Sequence, residues 1–249
     1  MSQRYFITFA YDGTAYHGWQ IQPHSVTVQE VLNRALETLL RVPIQTTGAG
    51  RTDTGVHAAK MVAHFDVDLI IDCDALVSRL NRLLPPDICV FGIKAMHSSA
   101  HARFDATSRT YHYLITTQKS PFQRHFAVMV PHQLDFDLMN QAARELYNIS
   151  DFTSFAKLHA DSKTNICSVT HAQWVQIAHD TWRFEITADR FLRNMVRAIV
   201  GTLLLVGRGK ITIEQFKEII LKKDRCAAAD SADGKALTLV NVTYPYDIE

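Results

Sequence analysis

The sequence predicts an α+β chain built as two similar halves. Three observations lead there. Short aromatic and β-branched stretches alternate with longer ones whose apolar residues recur at helical spacing. In the first hundred or so residues these stretches run in the order β-α-β-β-α-β. A strand, a helix, a hairpin, further helices and a last strand then roughly repeat that order, with insertions.

Taken in order, residues 4–11 (Arg-Tyr-Phe-Ile-Thr-Phe-Ala-Tyr) read as a strand. A glycine- and aromatic-rich loop follows over residues 12–20. Its Tyr16 and Trp19 either stack on bases or cover the edge of the core. Residues 27–41 keep helical spacing through Val28, Val31, Leu32, Ala35, Leu36, Leu39 and Leu40, with Ser25 or Thr27 as cap and Pro43 as stop. Residues 44–47 form a short strand and 60–67 a longer one. A helix over 74–84 stops at Pro85-Pro86, and 88–95 is a strand. This order makes a ferredoxin-like unit, whose open sheet face is where RNA-recognition modules hold RNA, although many unrelated proteins share it. Residues 98–108 have no period and connect the halves, placed at 1–105 and 106–249. In the second half, 109–116 is a strand, 136–148 a helix, 166–177 and 182–188 a hairpin, 191–206 and 212–223 helices, and 237–244 a closing strand.

The chain has 249 residues, 47% of them apolar and 20% charged, and a net charge of +1. That composition is ordinary for a globular protein, and no apolar run reaches membrane-spanning length. The start enters a strand-like pattern directly, so no signal peptide is expected and the cytoplasm is the expected location. Cys73, Cys89, Cys167 and Cys226 are far apart and match neither zinc spacing nor a disulfide framework. Between Thr181 and Arg225 ten Lys/Arg stand against five Asp/Glu, which makes either a basic face or a solvated helix surface.

Two stretches carry chemistry. Residues 48–58 (Gly-Ala-Gly-Arg-Thr-Asp-Thr-Gly-Val-His-Ala) hold three glycines, with Arg51 and Asp53 between them. Glycines permit positive φ and close approach by another molecule. The loop is neither a Walker A loop nor a dinucleotide fingerprint. It is either a ligand site or a turn in which Thr52 or Asp53 caps a short helix. The second stretch is the predicted helix over 191–206. Arg193 and Arg197 share one face there, and the residues from Ala198 to Val206 are apolar on nearly every side, as in a buried helix. A cation beside that segment needs a partner. Asp53 is one candidate; Glu185, Asp189 and water are the others.

Several segments together resemble the tRNA pseudouridine synthase A family. They are residues 11–20 (Tyr-Asp-Gly-Thr-Ala-Tyr-His-Gly-Trp-Gln), the loop 48–58, 101–106 (His-Ala-Arg-Phe-Asp-Ala), 109–113 (Arg-Thr-Tyr-His-Tyr), 191–197 (Phe-Leu-Arg-Asn-Met-Val-Arg) and 199–203 (Ile-Val-Gly-Thr-Leu). They occur in the family's order and span nearly the whole chain. The resemblance implies a pseudouridine synthase fold, with two ferredoxin-like halves whose antiparallel sheets join into one. It implies an isomerase that acts as a homodimer on tRNA uridines 38, 39 and 40 of the anticodon stem-loop, by base flipping, without cofactor or metal. Asp53 then corresponds to the essential aspartate, Arg51 to the arginine that holds the flipped nucleotide or its vacated place, and Tyr111 to the tyrosine on the uracil. Arg197 corresponds to the arginine paired with the aspartate. One segment departs from the pattern. Where the family has an Ala-Pro-containing stretch, residues 227–237 read Ala-Ala-Ala-Asp-Ser-Ala-Asp-Gly-Lys-Ala-Leu, which puts the local backbone in question.

Overall fold

A computed structural model describes residues 2–158 and 163–248. The chain divides into two compact units, Met1–Thr107 with Leu239–Glu249, and Ser108–Thr238. The division thus falls two residues after the expected 105/106, and the last eleven residues cluster with the first unit rather than with the second half. Each unit combines a sheet with helices, a mixed α/β build.

In unit 1 the order is β1 (Gln3–Tyr11), α1 (Val28–Leu40), β2 (Thr47–Gly48), β3 (His57–Val67), α2 (Cys73–Leu83) and β4 (Ile88–Met96). β1 pairs antiparallel with both β3 and β4, and β2 pairs antiparallel with β3. Thr27 is the cap that α1 uses, its hydroxyl accepting the Glu30 amide, and Arg41 in the left-handed region ends the helix ahead of Pro43. The helix buries Val28, Leu32, Ala35 and Leu36 on one stripe, and a fully buried leucine side chain contributes roughly 1.5–3 kcal/mol. The strand expected over 44–47 shrinks to Thr47–Gly48. Side chains of α1 satisfy the preceding backbone instead: Glu37 accepts the Ile44 amide, Asn33 accepts the Thr46 amide and hydroxyl, and Gln29 donates to the Thr46 carbonyl.

Unit 2 contains β5 (Ser108–Thr116), β6 (Val128–Met129), α3 (Phe136–Arg144), β7 (Val169–Ala178), β8 (Thr181–Ala188), α4 (Met195–Gly207) and α5 (Ile213–Leu221). β7 and β8 form the expected hairpin, and β8 also pairs antiparallel with β5. The last strand, β9 (Leu237–Thr243), starts here, and from Leu239 on it belongs to unit 1. α4 is buried almost all round, as its composition predicts. A Cβ at Gly207 would collide with the Met139 sulfur, so glycine there lets α4 and α3 approach closely. α4 nevertheless begins four residues later than expected. Asn194 stands at φ 68°, outside helical geometry, so Arg193 precedes the helix and does not share a helical face with Arg197. Thr212 and Gln215 make a reciprocal capping box on α5. Among the described residues no helix is long and apolar enough to cross a membrane.

Candidate active site

Each unit carries part of the expected residue set. In unit 1, Arg51 and Asp53 lie on the loop between β2 and β3. No helix follows this loop, so neither Thr52 nor Asp53 is a helix cap. The preceding 12–20 loop grips its backbone. The Trp19 amide donates to the Thr52 carbonyl (3.3 Å), and the Gly55 amide donates to the Tyr16 carbonyl (3.2 Å). The Tyr11 and Thr52 hydroxyls are 2.9 Å apart, and the Gly13 amide donates to buried His57 at Nδ1 (2.9 Å). Glycine is needed at three of these contacts. A Cβ on Gly13 would run into the Val56 carbonyl, one on Gly18 into the Thr52 carbonyl, and one on Gly48 would sit 2.6 Å from the Trp19 indole nitrogen. Gly18 and Gly55 also stand at φ 87° and 74°. Asp53 is therefore half-buried on a backbone held from both sides, and Arg51 is exposed two residues before it.

The same geometry decides the role of the 12–20 aromatics. Trp19 is buried under Gly48 and packs on Phe9 at 5.4 Å, while Tyr16 is buried and donates to Asp87 at 2.7 Å. These rings belong to the core edge and are not available to stack on bases.

In unit 2, Tyr111 lies on β5 opposite Ile186, nearly buried, with the Phe191 ring edge-on at 5.2 Å. Tyr113 shares its face of the strand. The Tyr113 hydroxyl is buried with no hydrogen-bond partner among the described residues; burial first, then the Asp233 carboxylate, raises its pKa. Arg197 lies in the first turn of α4, half-buried. Its Nε donates to the Ala232 carbonyl (2.7 Å), and its own carbonyl accepts the Ala232 amide (3.0 Å). Two of its candidate partners are engaged elsewhere. Glu185 binds Arg183, and Asp189 accepts the Ser168 and Arg190 amides.

Sequence reasoning missed how the departing segment is built. Residues 228–232 cross α4 as a strap. The Ala229 amide donates to the Thr202 hydroxyl, Arg225 donates to the Ala229 carbonyl and the Ser231 hydroxyl, and Asn194 donates to Ser231. Gly201 lies against the Asp230 carbonyl, where a Cβ would collide. Gly201 and Thr202 fall within the motif 199–203, which is the signal that something must dock there.

Unit 1 thus holds a carboxylate on a rigid loop with a neighbouring exposed guanidinium, and unit 2 holds a tyrosine packed against the Phe191 ring and a guanidinium bound by a backbone carbonyl. A fixed, ionised carboxylate serves as nucleophile or stabilises developing positive charge.

Comparison with known proteins gives the family. The family model for tRNA pseudouridine synthase matches residues 7–105 and 142–245. Proteins named tRNA pseudouridine synthase A from Bacteroides thetaiotaomicron and Bacteroides fragilis are each 58% identical to this chain. They cover 99% of it and are themselves covered to 92% and 98%. One of that name from Bacillus subtilis is 40% identical over 95% of the chain, and 97% of that protein is covered. The chain belongs to the tRNA pseudouridine synthase family, whose members are isomerases.

Proposed function

We propose that this protein converts uridines 38, 39 and 40 of the tRNA anticodon stem-loop into pseudouridine, with Asp53 as the reacting carboxylate. The interlocked loop that fixes the Asp53 backbone carries the reading: rigid placement of one half-exposed carboxylate beside one exposed arginine suits an enzyme that must meet a flipped nucleotide. The reaction breaks the C1′–N1 bond, turns the uracil, joins C1′ to C5 and releases the C5 proton to solvent, while the freed N1 takes up a proton. Asp53 supports it by attack or by stabilising charge at C1′. Arg51 holds the flipped nucleotide or its vacated place. Tyr111 packs on the loose uracil and handles the C5 proton. Arg197 takes the place of the arginine that the family pairs with its aspartate. No cofactor or metal is required, the two units are ferredoxin-like with their sheets joined, and the enzyme works as a cytoplasmic homodimer.

Tritium release from tRNA labelled at uridine C5 tests this. Wild type releases tritium, while Asp53→Asn releases none yet binds tRNA within a few-fold of wild type. Near-normal release by Asp53→Asn would remove the aspartate from the chemistry, and binding without release by wild type would make the chain an RNA binder.

A further inference from the structure

The motif at residues 101–106 has no part in the roles above, and it presents Phe104 with 75% of its surface exposed. A single exposed apolar residue is common. What sets this one apart is its foundation. Asp105 accepts the His101 amide (2.7 Å) and the Tyr246 hydroxyl (2.8 Å), and the Asp105 amide returns to the His101 carbonyl (3.1 Å). His101 Nδ1 accepts the amides of Arg103 (3.1 Å) and Phe104 (3.2 Å). The Ala102 amide donates to Nδ1 of His64 (3.1 Å), and the Ala102 carbonyl accepts the Tyr244 hydroxyl (2.6 Å). Arg4 donates to the Ala100 carbonyl (2.7 Å). The His101 ring lies 4.2 Å from the Phe104 ring, and the His64 ring meets His101 at 4.6 Å. The Arg103 guanidinium sits 5.8 Å from the centre of the Phe104 ring, within cation–π range.

A loop held this firmly would be expected to turn its phenylalanine inward if packing were the purpose. It holds the ring outward, beside a cation. A fixed aromatic face loses little entropy on stacking, and an adjacent guanidinium suits a polyanion. Tyr16 and Trp19, which the sequence leaves as alternatives for stacking, are buried, so that role is open. We infer that Phe104, flanked by Arg103, is a stacking platform for one unpaired nucleobase of the RNA substrate, distinct from the target uridine. This rests on the reading that the substrate is tRNA.

The test uses the full chain, unmodified tRNA transcripts, and the same transcripts carrying 2-aminopurine at each unpaired anticodon-loop position in turn. Phe104→Ala is expected to weaken tRNA binding by about tenfold and to abolish the 2-aminopurine quench at one position. Phe104→Trp keeps both. Binding within twofold of wild type with every quench unchanged overturns the proposal. So does Phe104→Ala losing self-association by light scattering at the assay concentration, which would make the ring a contact between copies. If wild type itself neither binds nor converts tRNA, the substrate reading fails and takes the proposal with it. If wild type does both and Phe104→Ala does so equally, only the platform falls.

Discussion

His64 links acidity to the shape of one loop. Its imidazole is buried and uses Nδ1 to accept the Ala102 amide, and burial, then Arg4 and His101, lowers its pKa from 6.5 to about 4. The unfolded chain therefore binds more protons than the folded one between those two values, and stability falls as pH drops through that window. Between pH 7 and pH 5 this one group should remove about 2 kcal/mol, read by urea denaturation. His64→Gln should lose that part of the pH slope, and an identical slope in the variant would show that other groups set it. None of this is legible in the sequence, where His64 is one histidine in a strand. Asp53 is legible, because glycines at 48, 50 and 55 fence it and few ordinary turns need so many. Tyr16 and Trp19 lie between. Their presence is plain in the sequence, but which way they face depends on Gly48 and Asp87, which only the fold brings to them.

At the scale of elements, α4 and the strap over it act as one device. The strap passes the position of α4 back to Arg197 through the Ala232 carbonyl, and Gly201, Thr202 and Arg225 hold the strap down. Gly201→Ala should push the Asp230 carbonyl off the helix and move the Arg197 guanidinium. Single-turnover conversion of tRNA should slow by about tenfold to a hundredfold, with tRNA binding nearly unchanged. Arg225→Ala should act the same way but less, since it leaves the close approach intact. Unchanged turnover in both would mean that Arg197 holds its place without the strap. The missing proline is visible in the sequence, but the side chains that replace its rigidity are not, because Arg225, Asn194 and Ser231 meet only in three dimensions. The start of α4 departs from its helical spacing for a related reason. Helical spacing continues through Phe191–Asn194, while one left-handed residue at Asn194 ends it.

At the scale of the whole molecule, most strands and helices follow from hydrophobic period, because each such element buries a stripe or a face that its sequence displays. The exceptions are segments whose backbone is satisfied by side chains, such as 44–46, and the return of Leu239–Glu249 to unit 1, which no local pattern announces. Self-association belongs to this scale as well. Light scattering at micromolar concentration should give twice the 28.2 kDa chain mass, and a monomer that still converts tRNA would remove the dimer from the mechanism.

The loop that carries Phe104 is tied down by Tyr244 and Tyr246, which follow it by some 140 residues. On the ribosome, where N-terminal regions emerge first, unit 1 can gather its strands early but cannot set this loop until unit 2 has been made. Any product of premature termination before residue 244 would carry the Asp53 loop on an unfinished scaffold. The first unit in sequence is thereby the last to be completed, after every residue of the second has been synthesised.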